Sequence, residues 1–92
     1  MNILYAKRFL EKCLDLAGLP STYASILKYE KSGILIKPSA NVCLRKNSVW
    51  RLYSEQEIQD NVIRLLIYKY PNREKDSENI KKLITQYLEN ER

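Results

Sequence analysis

Apolar residues recur along this chain with two different periods, and the change of period divides it. Between residues 4 and 17, Ala6, Leu10, Cys13, Leu14 and Ala17 fall at i, i+4, i+7, i+8 and i+11, the spacing of one face of an α-helix. Gly18 stands where a glycine ends a helix in the left-handed conformation, and Leu19-Pro20 makes a tight connection. Ser21 or Thr22 caps a second helix over 22–32, with Tyr23, Ile26, Leu27 and Tyr29 as its apolar members and Gly33 as its stop. Over 34–53 the helical period is lost. ILIKP is a short extended run that Pro38 confines to an edge or a turn, and NVCL and VWRLY are two strands around the polar turn RKNS at 45–48. This predicts a hairpin with its tip at Asn47-Ser48, or alternatively one closing at Ser39-Ala40-Asn41.

The helical period returns at Ser54. SEQE is a capping box, in which Ser54 accepts from the amide three residues on and Glu57 reaches back to the cap. Ile58, Val62, Leu65 and Leu66 continue the stripe, joined by Ile67 or Lys69, until Pro71 ends the helix near Tyr70. PNREKDS is a polar link. Ser77 caps a last helix, 78–90, with Ile80, Leu83, Ile84, Tyr87 and Leu88 on one face. That stripe either folds back on the core or pairs with the same helix of a second chain. The predicted organisation is one domain over 1–70, then a linker and C-terminal helix over 71–92. The predicted fold class is mainly α with a small β-hairpin.

Composition narrows the chemistry. Two Gly and three Pro in 92 residues suit helices better than a turn-rich sandwich. The absence of histidine removes the commonest neutral-pH acid/base and most zinc sites. Cys13 and Cys43 are too far apart for a CxxC pair, and buried free thiols are expected, with a disulfide as the alternative. With no Walker loop, no metal cluster and no activated nucleophile, the expectation is a protein that is not an enzyme and carries no cofactor or metal. Lys7, Arg8, Glu11, Lys12 and Asp15 interrupt the apolar N-terminal run, so neither a signal peptide nor a membrane span is expected, and the location expected is cytoplasmic.

Charge changes the picture most. Residues 1–53 hold nine Lys/Arg against three Asp/Glu, whereas residues 54–92 hold seven against eight. A basic front and a near-neutral back suggest a face turned toward a polyanion. Two short helices joined by a tight turn, the second polar and basic, match a helix-turn-helix.

Two blocks carry a more specific likeness. SILKYEKSGILIKP at 25–38 supplies Tyr29, Glu30, Gly33, Ile34, Leu35 and Pro38, and WRLYSEQEI at 50–58 supplies Arg51, Tyr53, Ser54, Glu57 and Ile58. In this order the stretch from 17 to 58 resembles the DNA-binding domain of the MerR family of winged helix-turn-helix regulators. It also looks like the stripped winged helices of excisionases and plasmid-partition adaptors. Leu27 and Lys28 stand where that family presents an arginine and the first of two tyrosines, and the hairpin insert is longer. Neither an effector domain nor a small-molecule effector is expected.

The resemblance implies sequence-specific binding of double-stranded DNA by a small regulator or architectural factor associated with the nucleoid. Helix 22–32 would read the major groove and the wing, 36–53, would hold the flanking backbone. On the helix, Tyr23, Ser25, Lys28 and Lys31 are the candidate contacts, with Thr22 donating to a phosphate near the helix start. The resemblance implies backbone contacts for the Tyr29 hydroxyl and for Arg51, with pairing of Arg51 to Glu30 as the alternative. Lys37, Arg45 and Lys46 would line the wing. Trp50 is read as a core residue. One copy offers little contact area, so a homodimer or cooperative array through the C-terminal helix is expected. The alternative function is a protein–protein adaptor module of a phage, plasmid-partition or recombination system on the same scaffold. A third, single-strand or RNA binding, would use Trp50 and Tyr53.

Overall fold

The computed structural model describes residues 3–38, 40–45 and 48–91, with side chains over 3–38 and 51–91. In chain order the elements are β1 (Leu4–Ala6), α1 (Lys7–Leu16), α2 (Tyr23–Lys31), β2 (Ala40–Arg45), β3 (Ser48–Ser54), α3 (Glu55–Lys69), a 3-10 helix (Pro71–Asp76) and α4 (Ser77–Asn90). The result is a mainly helical domain with a small antiparallel hairpin.

The first departure from expectation is β1. The periodicity carries the first helix back to residue 4, but Leu4–Ala6 form a strand antiparallel to β3, giving a three-stranded sheet in the order β1-β3-β2. Tyr5 decides this. Its buried ring packs edge-on against Phe9 at 5.4 Å, and its backbone is in register with Tyr53, which satisfies the peptide groups a frayed first turn would leave open. In the hairpin, Ala40 pairs with Leu52 and Asn41 with Arg51, so closure at 39–41 is overturned. Arg45 pairs with Ser48, and the tip between them lies outside the described residues, as do the side chains of Cys43, Arg45, Lys46 and Trp50.

Both predicted glycine stops are present. Gly18 (φ +74°) and Gly33 (φ +80°) each follow a helix whose last carbonyls they help to satisfy. After α1, Gly18 N donates to Asp15 O and Leu19 N to Leu14 O. After α2, Gly33 N donates to Glu30 O and Ile34 N to Tyr29 O. This paired pattern is the Schellman motif. A Cβ at Gly33 would meet no atom within 4 Å, so the cost of Gly33→Ala is conformational alone. It should destabilise the domain by about 1 kcal/mol, seen as a fall in Tm of roughly 4–8 °C in a thermal melt.

The core is one cluster. Leu10, Cys13 and Leu14 of α1 and Ile58, Val62, Leu65 and Leu66 of α3 are fully buried, with Ile26 and Leu35 beside them. The Ser54–Glu57 capping box forms as predicted, at 3.1 Å and 2.9 Å. The Cys13 thiol is free, and burial pushes it up to about 12, so it stays protonated and unreactive. Ser77 does not cap α4. PNREKD is a 3-10 helix running straight into α4, and the Ser77 hydroxyl donates to Glu74 O instead.

Helix α4 packs within the same chain: Ile80, Ile84 and Leu88 are buried in the core and Gln59 of α3 donates to Thr85. Leu83 of the predicted stripe stays exposed. Among the described residues no helix is long and apolar enough to cross a membrane.

Segment 34–38, expected to be extended, pairs with no strand among the described residues. Side chains of α3 take the place of a neighbouring strand. Asn61 accepts from Ile36 N at 2.8 Å and donates to Ile36 O at 3.2 Å, and Arg64 donates to Ile34 O at 2.7 Å and Gly33 O at 3.3 Å. Leu35 is thereby inserted into the core while Ile36 and Lys37 face outward.

Candidate functional site

An open cleft of about 1160 Å³ separates α2 from the base of the hairpin. On α2 its wall is Ala24, Leu27, Lys28 and Lys31, at i, i+3, i+4 and i+7 and therefore on one face. Lys37 and Pro38 form the rim contributed by the segment that Asn61 and Arg64 hold, and Arg51 comes from β3. Three stretches of chain thus bring four cations to one concavity. One acid, Glu30, lies among them.

Glu30 and Arg51 are joined. Arg51 Nη2 donates to Glu30 Oε1 at 2.6 Å, and the two side chains are 12% and 4% exposed, Arg51 and Glu30 respectively. Burial works against the charged guanidinium, but the hydrogen bond to Glu30, followed by the electrostatic influence of Tyr53, Glu30 and Tyr23, more than offsets it and holds Arg51 above the ordinary arginine range. Tyr53, two residues along β3 and on the same sheet face, is fully buried, and that burial pushes its hydroxyl up to about 12. Arg51 Nη1, Glu30 Oε2 and the Tyr53 hydroxyl have no hydrogen-bond partner among the described residues.

The other predicted residues fall around this cleft rather than in it. Thr22 caps α2, accepting from Ser25 N at 3.2 Å and donating to the Ser25 hydroxyl at 2.9 Å. Its hydroxyl proton is therefore already engaged, and Ser25 is half-buried beside it. Tyr23 is exposed at the helix start, with Lys7 Nζ 4.5 Å above its ring and the Arg51 guanidinium 5.9 Å away. Tyr29 lies on the other side of α2. Its ring meets Tyr68 edge-on at 6.1 Å, and its hydroxyl accepts from Lys69 Nζ at 3.4 Å. Arg45 and Lys46 lie outside the described side chains.

The cleft gathers Lys28, Lys31, Lys37 and Arg51, which the sequence nominates on the helix and the wing, together with Ala24 and Leu27, which it does not. Leu27 was counted as apolar helix face, but it is 40% exposed and turned to the cleft. The signal was the i+4 offset from Tyr23, which competes with the i+4 pair Ile26–Glu30 for the inward face. Among the described residues no group of three or more His, Cys, Asp or Glu is arranged to hold a metal. Comparison with protein-family models, with curated proteins and with solved structures finds no match to this chain.

Proposed function

We propose that this chain is a winged helix-turn-helix domain of the MerR-like kind that binds double-stranded DNA with sequence preference. The observation that carries the reading is the convergence of Lys28, Lys31, Lys37 and Arg51 on one exposed cleft between a short helix and a hairpin. The element order supports it too: a helix pair joined by a short turn, followed directly by a two-stranded hairpin. In this reading α2 enters the major groove by its cleft face. Lys28 reaches base edges there, and Ala24 and Leu27 offer apolar contact to thymine methyl groups. Lys31 and Lys37 neutralise phosphates, joined by Arg45 and Lys46 from the hairpin. Thr22, Tyr23 and Ser25 lie at the N-terminus of α2, where backbone amides and the helix dipole favour an anion. Tyr29 faces α3, away from this docking face, and its hydroxyl makes no DNA contact in this reading.

The apolar stripe of α4 is committed to this chain's own core, so contacts between copies along a DNA site would use its outer face and Leu83. The test is binding to a random duplex across a salt series. Retardation at low salt that fades with a log–log slope of about −3 to −4 is expected from three or four phosphate contacts. No retardation at the lowest salt would sink the reading. Selection of bound duplexes from a random pool then reports the preferred sequence and any half-site symmetry.

A further inference from the structure

Helix α2 carries Lys28 and Lys31, yet it is lightly anchored: Ile26, near its start, and Glu30, in its last turn, are its only buried residues. One of those two anchors is a carboxylate, and its described partner is Arg51 of β3, 21 residues away in sequence. A charge buried to this degree persists because it is paired. The pair therefore sets where the C-terminal half of α2 lies against the hairpin, and with it the separation of the helix lysines from Lys37.

We infer that Glu30 and Arg51 are positioning residues, whose ion pair fixes α2 against β3 at the spacing that duplex binding requires, and that Arg51 does not itself neutralise a phosphate. The inference rests on the duplex-binding reading. Without the pair, α2 pivots about Ile26. Arg51 lines the cleft, but its guanidinium is largely buried and bonded inward to the carboxylate. Surface lysines at the same cleft are free to meet a polyanion at little desolvation cost.

Two opposite signs separate this from a direct phosphate role. Glu30→Gln removes a negative charge from a face that meets DNA, so electrostatics alone makes the variant bind more tightly. Loss of positioning makes it bind more weakly despite the gained net charge. Glu30→Gln and Arg51→Met are made singly and together, and affinities are measured below the melting range of every variant, so that all are folded. The expected result is weakening of roughly tenfold for each single variant, with the salt slope unchanged and the double variant no worse than either single one. Amide exchange in the free protein should quicken in the last turn of α2 and in β3.

Tighter binding by Glu30→Gln overturns the inference, as does a salt slope lower by about 0.9 in Arg51→Met, the value of one lost phosphate contact. Lower melting temperatures with unchanged affinity overturn it too, since they would show a pair that only stabilises the fold. Each of these leaves the duplex-binding reading standing. Failure of the unaltered protein to bind any duplex removes both.

Discussion

Alanine at Lys28, Lys31 and Lys37 together is expected to flatten the salt dependence of duplex binding by about 1.8 units of log–log slope, since Lys31 and Lys37 each neutralise a phosphate and each phosphate neutralised contributes about 0.9. Over a fourfold rise in salt the unaltered protein would then lose roughly 12-fold more affinity than the triple variant. All three side chains are exposed and line one cleft, so the fold should be little affected, within about ±0.5 kcal/mol per site. Lys75 and Lys82 make the control. They are equally exposed but belong to the near-neutral half of the chain, on the 3-10 helix and α4. Their replacement removes charge without touching the cleft, so the slope should hold. A loss of slope common to both sets would mean that net charge, not the cleft, governs binding. Lys28 carries a further expectation. As the residue on the groove-facing stripe of α2 nearest base edges, its single replacement should alter the selected sequence more than the slope.

The sequence was most legible where neighbouring residues settle the outcome among themselves. The two glycine stops, the Ser54–Glu57 box and the stripes of α1 and α3 are all interactions within a turn or two, and all formed as read except at Ala6, which lies in β1. What stayed hidden depends on partners far along the chain. The strand Leu4–Ala6 exists because β3 is there to pair with it, some fifty residues later. Ser77 looked like a cap because serine commonly caps, but a 3-10 turn supplies structure upstream and the hydroxyl turns back to Glu74. Nothing in the sequence singles out Asn61 and Arg64, which hold backbone 25 to 31 residues earlier.

The site divides in the same way. Charge patterning points to the cations, because residues 1–53 carry nine Lys/Arg against three Asp/Glu. Tyr29, by contrast, faces α3 rather than the cleft. Arg51 suits either a phosphate or Glu30 by sequence, and the 2.6 Å contact shows the pairing with Glu30. The proposed DNA contacts of Arg45 and Lys46 lie outside the described side chains.

Asn61→Ala is expected to lower stability by about 2–3 kcal/mol, a fall of roughly 10–20 °C in Tm for a domain of this size. The side chain is 2% exposed and makes two hydrogen bonds to one residue, Ile36. Its loss leaves a gap in α3 and removes the partner of both Ile36 peptide groups. Asn61→Asp sharpens the point. The carboxylate still accepts from Ile36 N but has no proton to donate to Ile36 O, and it introduces an unpaired buried charge, so it should be at least as destabilising as alanine at neutral pH. Arg64→Ala removes the adjacent pair of bonds, but from an exposed side chain, and about 1 kcal/mol is the expected cost. Lys37 follows Ile36 directly, so loosening this segment also moves a cation off the cleft rim. Folded Asn61→Ala should therefore bind duplex more weakly than the unaltered protein while Arg64→Ala binds nearly as well. Urea titration and duplex titration of the same samples check the two effects independently. Equal stability of Asn61→Ala and the unaltered protein would show that segment 33–38 is held by Leu35 in the core alone.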